Sequence, residues 1–160
     1  MKEIKLTQGQ VAIVDDWRFE ELNQYKWYAS WNSSTKSFCV ARVTSKLLGK
    51  PKTLFMHAVI MGTPKGMETD HINHNTLDNR EVNLRVCSRS QNQMNKGKRA
   101  DNTSGFKGVF KHNSGWRARI RANRKCYNLG TFPTREEAAR AYDIGAKRLH
   151  GEFAVLNFYE

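Results

Sequence analysis

Asp70 and His71 stand side by side at the end of the run Glu68-Thr69-Asp70-His71, and Asn75, Asn79, Asn83 and Asn92 follow within 22 residues. A carboxylate and amide carbonyls are hard oxygen donors of the kind Mg²⁺ and Mn²⁺ take. An imidazole, with an unperturbed pKa of about 6.5, can accept a proton at neutral pH. Metal-assisted proton transfer is therefore within reach of these residue types. The bland alternative is a hydrogen-bonded loop, because Asp and Asn abound in turns and a single His is usually structural. Spacing and the surrounding elements have to separate the two.

The elements that would position these groups are legible around them. Met61-Gly62-Thr63-Pro64-Lys65-Gly66 reads as a loop that delivers the chain into a short strand ending at Asp70-His71. An Asn-rich loop, His74-Asn75-Thr76-Leu77-Asp78-Asn79, leads to a second short strand at Asn83-Leu84-Arg85-Val86. Ser88-Arg89-Ser90-Gln91 has the form of a capping box, so a helix starts there with Asn92 about one turn in. The order is strand, loop, strand, helix. Upstream, Val11-Ala12-Ile13-Val14 and Phe38-Cys39-Val40-Ala41-Arg42-Val43 alternate with turn clusters such as Asn32-Ser33-Ser34 and read as β-rich scaffold.

In this setting Asp70-His71, Asn75, Asn79, Asn83-Leu84-Arg85, Ser88 and Asn92 resemble the ββα-metal motif of HNH homing endonucleases. Several fixed spacings match at once. The last letter of the motif is Asn92 in place of a second His, as in the phage-intron subset. The resemblance implies that Asp70 and Asn92 hold one divalent cation, Mg²⁺ or Mn²⁺, through oxygen atoms, with no zinc expected. It also implies that His71 is the general base on the attacking water and that Asn83 braces the loop. His74 is expected to be a plain loop residue, with a further metal ligand or a phosphate contact as the alternatives. His57, in the apolar run Leu54-Phe55-Met56-His57-Ala58-Val59-Ile60, is expected to be a satisfied structural histidine, with a catalytic role as the alternative.

The C-terminal third carries a different pattern. Trp116, Ala118 and Ile120 alternate with Arg117, Arg119 and Arg121, a period of two that sends apolar groups to one face and guanidiniums to the other. Segments 106–111 and 127–132 supply two more strands, with turns at Asn113-Ser114-Gly115 and Asn123-Arg124-Lys125. Thr134-Arg135-Glu136-Glu137 is a capping box. Ala138, Tyr142, Ala146 and Leu149 then recur at helical spacing until Gly151 stops the helix. A helix backing a three-stranded meander is predicted.

Residues 104–157 resemble the plant APETALA2/ethylene-response-factor DNA-binding domain. The likeness rests on Lys107-Gly108-Val109, Trp116-x-Ala118-x-Ile120, Tyr127-x-Leu129-Gly130-Thr131-Phe132, Glu137-Ala138-Ala139, Ala141-Tyr142-Asp143 and Gly151 to Phe158. The resemblance implies a sheet laid in the DNA major groove. Lys107, Arg119, Arg121 and Asn128 align with strand positions that touch DNA, and Lys111 and Arg117 are neighbouring candidates.

The rest of the composition agrees. A net charge of +12 over 160 residues favours a polyanionic partner, double-stranded DNA first. Cys39, Cys87 and Cys126 are odd in number and form no Cys-x-x-Cys pair, so neither a disulfide framework nor a zinc knuckle is indicated. The N-terminus shows no apolar leader and no segment is long enough to span a bilayer, so an intracellular protein without a membrane partner is expected. Residues 96–103 lack large apolar groups and read as a linker.

The expectation is therefore an α+β chain: an HNH nuclease domain with ββα-metal motif over 1–95, a linker over 96–103, and a three-stranded antiparallel sheet packed on one helix over 104–160. A site-selective, metal-dependent DNA endonuclease of homing type is the leading function, with a monomer favoured and the oligomeric state left open. A DNA-binding transcription regulator with a degenerate nuclease domain is the rival. An RNA-binding protein is disfavoured by the absence of an aromatic ribonucleoprotein-type platform.

Overall fold

The computed structural model describes residues 1–33, 35–44, 49–99 and 101–159. Ser34 in the expected turn, Ala100 in the expected linker and Glu160 at the end of the C-terminal module lie outside the described residues. The chain packs as two units, Met1–Ser88 and Arg89–Glu160.

In the first unit, β1 (Lys2–Lys5) pairs antiparallel with β2 (Val11–Val14). The helix α1 (Phe19–Asn23) leads to a meander of β3 (Tyr28–Asn32), β4 (Ser37–Val43) and β5 (Thr53–Phe55). A short helix, α2 (Met56–Ile60), follows, and then β6 (Glu68–His71) pairs antiparallel with β7 (Leu84–Cys87). Ile4, Val14, Leu22, Trp27, Val40, Met56, Ile60 and Leu84 form one buried cluster. It draws on both the β-rich scaffold and the β6–β7 ladder, so burial of apolar surface ties the two together.

The second unit opens with α3 (Arg89–Asn95). Its sheet runs β10 (Lys125–Phe132), β9 (Gly115–Ala122), β8 (Val109–His112), all antiparallel. The 16-residue α4 (Arg135–His150) backs it through Ala138, Ala139, Tyr142 and Ala146 against Val109, Ala118 and Ile120. The Thr134 hydroxyl accepts from Glu137 N and the Glu137 carboxylate accepts from Thr134 N, which satisfies two otherwise orphaned helix-start amides. Asn123 and Arg124 both take positive φ, 50° and 62°, as the two-residue turn joining β9 to β10 requires.

Two boundaries differ from expectation. The division of the chain falls between Ser88 and Arg89, ahead of the 96–103 segment, so that α3 packs in the second unit, where Lys107 Nζ donates to Met94 O at 2.6 Å. The first strand of the C-terminal sheet starts at Val109, not Phe106. Side chains occupy the preceding backbone, with Ser104 Oγ accepting from Phe106 N and Asn157 Oδ1 from Lys107 N.

Gly108 closes this segment at φ +74°, where an added Cβ would lie 2.0 Å from the Tyr142 ring and 2.8 Å from Arg119 O. Gly108→Ala therefore combines a left-handed backbone with a collision in the core. It is expected to destabilise the second unit by about 2–4 kcal/mol. Chemical denaturation checks this: a loss under about 0.5 kcal/mol, the ordinary range for a harmless substitution, would mean the backbone relaxes freely there.

Among the described residues no disulfide joins Cys39, Cys87 and Cys126, and no helix is long and apolar enough to cross a membrane.

Candidate active site and nucleic-acid interface

Register places Asp70 of β6 opposite Arg85 of β7, and His71 opposite Leu84. Both Asp70 and His71 are buried, at 8% and 6% exposure. Arg85 Nε and Nη2 donate to Asp70 Oδ2 at 3.1 and 2.9 Å, so the carboxylate enters the interior already facing a cation. A buried charge without such compensation would be expensive. Arg85 was visible in the sequence only as part of a motif, since nothing short of strand register reveals its partner.

His71 Nε2 lies 3.4 Å from Asn79 Oδ1, and with the carbonyl oxygen accepting, the proton sits on Nε2. Burial pushes the His71 imidazole below its ordinary pKa, although Asn79, Asp70 and Asp78 oppose the shift. The ring is therefore neutral at neutral pH. Asn79 is fully buried, and its Nδ2 has no hydrogen-bond partner.

The loop between the strands is clamped by its own amides. Asn83 Nδ2 donates to Asp78 O at 2.8 Å, and Asn83 Oδ1 accepts from Asn73 N at 3.0 Å. Asp78 accepts from Arg80 Nε at 2.7 Å, from Arg80 Nη2 at 2.6 Å and from Asn73 Nδ2 at 3.1 Å. The Arg80 contacts hold its carboxyl below the usual range. Ile13 N donates to Leu77 O and Asn79 N to Ile13 O, which stitches the loop to β2. Asn73, Asp78 and Arg80 are thus scaffold residues that the motif reading passed over. His74 is exposed at a left-handed φ of 64° in the loop.

His57 differs from the expected satisfied histidine. Its ring stacks on Phe55 at 5.6 Å and meets the His71 ring edge-on at 5.1 Å, while its Nδ1 is buried with no hydrogen-bond partner. It also lines a cavity of about 320 Å³ with Trp31, Cys39 and Phe55. Burial first, and the neighbouring His71 second, push its pKa down to about 4.

That shift has a consequence for stability. The unfolded chain binds a proton at His57 below about pH 6.5, whereas the folded chain resists it until about pH 4. Stability is therefore fully present above pH 6.5 and lost as pH falls toward 4, by roughly 3 kcal/mol from this group. His71 adds in the same direction. His57→Asn, neutral throughout, is expected to flatten the acid limb of the melting-temperature profile by close to one proton. An unchanged limb would remove His57 as its source.

Among the described residues no three His, Cys, Asp or Glu side chains gather into a metal-holding group. Asp70 is nonetheless a hard oxygen donor that already accepts a cation, and a hard divalent ion completes its shell from amide, water and phosphate oxygens. That donor chemistry fits Mg²⁺ or Mn²⁺. Asn92 lies on α3 and belongs to the second unit.

In the second unit the sheet has two distinct faces. Trp116, Ala118, Ile120 and Ala122 turn toward α4, and Arg117, Arg119 and Arg121 turn away from it. Cross-strand pairing adds Phe110 opposite Arg117, Asn128 opposite Arg119 and Cys126 opposite Arg121 to the outer face. Among the described residues no carboxylate pairs with these three arginines; Arg117 Nη2 contacts His112 Nε2, and its Nε is buried without a hydrogen-bond partner. Two expected members stand elsewhere. Lys107 is turned inward to Met94 O, with burial pushing its pKa down to about 8. Lys111 pairs opposite Trp116, with its Nζ 4.9 Å from that ring's centroid.

Comparison with known proteins accounts for both halves. A profile described as HNH endonuclease matches residues 61–94, the stretch that carries Asp70, His71, Asn83 and Asn92. The uncharacterized HNH endonuclease L560 of Acanthamoeba polyphaga mimivirus is 30% identical over 150 residues, covering 94% of this chain and 76% of that protein. Protein 3.8 of Escherichia phage T7 is 36% identical over 93 residues, 57% of this chain and 76% of its own length. The ethylene-responsive transcription factor ERF084 of Arabidopsis thaliana is 54% identical over 59 residues in the C-terminal region, 35% of this chain and 23% of that protein. The chain belongs to the HNH endonuclease family.

Proposed function

We propose that this chain hydrolyses DNA phosphodiester bonds at selected sites, as a homing-type nuclease using one divalent metal ion, Mg²⁺ or Mn²⁺. The observation that carries the reading is the buried Asp70–His71 pair, set on the β6–β7 ladder and locked by the Asn83 clamp within the family-matched segment. By the resemblance, Asp70 and Asn92 are the residues that would hold the ion. When bound, such an ion neutralises charge at the scissile phosphate and assists the leaving oxygen. His71, neutral at working pH, takes a proton from the attacking water. Asn79 orients the His71 ring, and Asn83 keeps the loop from shifting it. Arg85 balances the Asp70 carboxylate.

Double-stranded DNA is the partner, met by the outer face of the second unit's sheet through Arg117, Arg119, Arg121 and Asn128. A monomer with one such site nicks; a dimer would cut both strands. Incubation with supercoiled plasmid and Mg²⁺ or Mn²⁺, with and without chelator, tests the whole reading. Nicked or linear product that disappears with chelator is expected. Tight DNA binding with no product under either metal would favour a regulator with a degenerate nuclease domain.

A further inference from the structure

Phe110 is an apolar residue on a cationic face. Strand alternation offers β8 a buried side, and Val109 takes it at 1% exposure, while the phenyl ring of Phe110 remains 47% exposed on the opposite side. It stands directly across from Arg117. The Arg119 guanidinium carbon lies 5.1 Å from its ring centroid, so the ring and the charge share one patch. Asn128, paired with Arg119, extends that patch onto β10.

A hydrocarbon ring ringed by charge on a solvated face gains nothing from water. It does match one feature of duplex DNA. In the major groove thymine presents a 5-methyl group, which an apolar side chain contacts. Arginines beside the ring can meet phosphates or guanine edges in the same groove. We propose that Phe110 reads a thymine 5-methyl group and so makes thymine a determinant of the preferred site. This rests on the reading that the sheet's outer face meets duplex DNA. The bland role for the ring, a platform that steadies Arg119 by cation–π attraction, requires no methyl group on the DNA.

The test uses the full chain in chelator, so that nothing is cut. A preferred duplex is enriched from a random pool, then synthesised with thymine and with every thymine replaced by uracil, which pairs alike and lacks only the methyl. Wild type is expected to bind the uracil duplex about three- to fivefold more weakly for each methyl contacted, the amount one buried carbon supplies. Phe110→Ala should bind both duplexes alike, at close to the wild-type affinity for the uracil form. Phe110→Leu, which keeps an apolar contact, should retain part of the discrimination. Equal binding of both duplexes by wild type overturns the proposal, and so does undiminished discrimination by Phe110→Ala. Arg117→Ala in the same assay separates the two levels. If it weakens binding while methyl dependence is absent, the interface stands and Phe110 does not read thymine. If it too is without effect, the interface reading itself fails.

Discussion

Asp70→Asn, His71→Ala and Asn92→Ala are each expected to lower plasmid cleavage by at least about a hundredfold, the range a positioned proton acceptor or its metal contributes, while DNA binding in chelator is retained. The three should differ in how they respond to conditions. Hydroxide can replace a missing general base, so raising pH restores part of the activity of His71→Ala and none of that of Asp70→Asn. Excess Mn²⁺ should help Asn92→Ala, which keeps the carboxylate, more than Asp70→Asn, which loses it. Asp70→Asn is preferable to Ala because it fills the same volume opposite Arg85, 2.9 Å away, and circular dichroism would verify that the β6–β7 ladder survives. Cleavage at wild-type rate by His71→Ala would end the general-base assignment, and cleavage by Asp70→Asn would end the metal one.

Removing the three outer arginines together, Arg117→Ala/Arg119→Ala/Arg121→Ala, should weaken duplex binding by two orders of magnitude or more. An arginine on a base edge is worth about 1–3 kcal/mol, and one on a phosphate contributes about 0.9 to the slope of log K against log salt. Both quantities should therefore fall, and far-ultraviolet dichroism should not, because none of the three side chains belongs to the core that joins β8, β9 and α4. Lys107→Met is the informative contrast. Its ammonium is turned to Met94 O and sits in a desolvated spot, so the change should leave the salt slope intact. A triple variant with unaltered affinity and slope would make the outer face a solvated surface and move the search for the DNA contact elsewhere.

Local features were legible in the sequence because local rules govern them. The Thr134–Glu137 box depends on four consecutive residues, and the alternation from Trp116 to Arg121 is fixed by the pleat of a single strand. The order strand, loop, strand, helix around Asp70 and Asn92 followed from turn and capping residues in the same way. Lys107 and Lys111 stand apart from the arginines for a related reason. Alternation fixes faces within a strand, but Lys107 precedes the strand, and Lys111 has opposite parity to Phe110 on an edge whose pairing the sequence does not display.

By itself, then, the chain's order of residues determined which family it belongs to and which strand face is cationic, since each depends on near neighbours. Tertiary structure alone decided what stands against each side chain. Asp70 meets Arg85 only through the β6–β7 register, and a slip of one residue would send both to the other face. His57 meets His71 across 14 residues because α2 and β6 pack into the same unit, and that contact turns an apolar-looking histidine into half of a desolvated pair. The helix α3 packs in the second unit, where Lys107 donates to the carbonyl of Met94, 13 residues away. Such pairings depend on distances between residues far apart in the chain, which the packing of the whole unit fixes and no window of sequence contains.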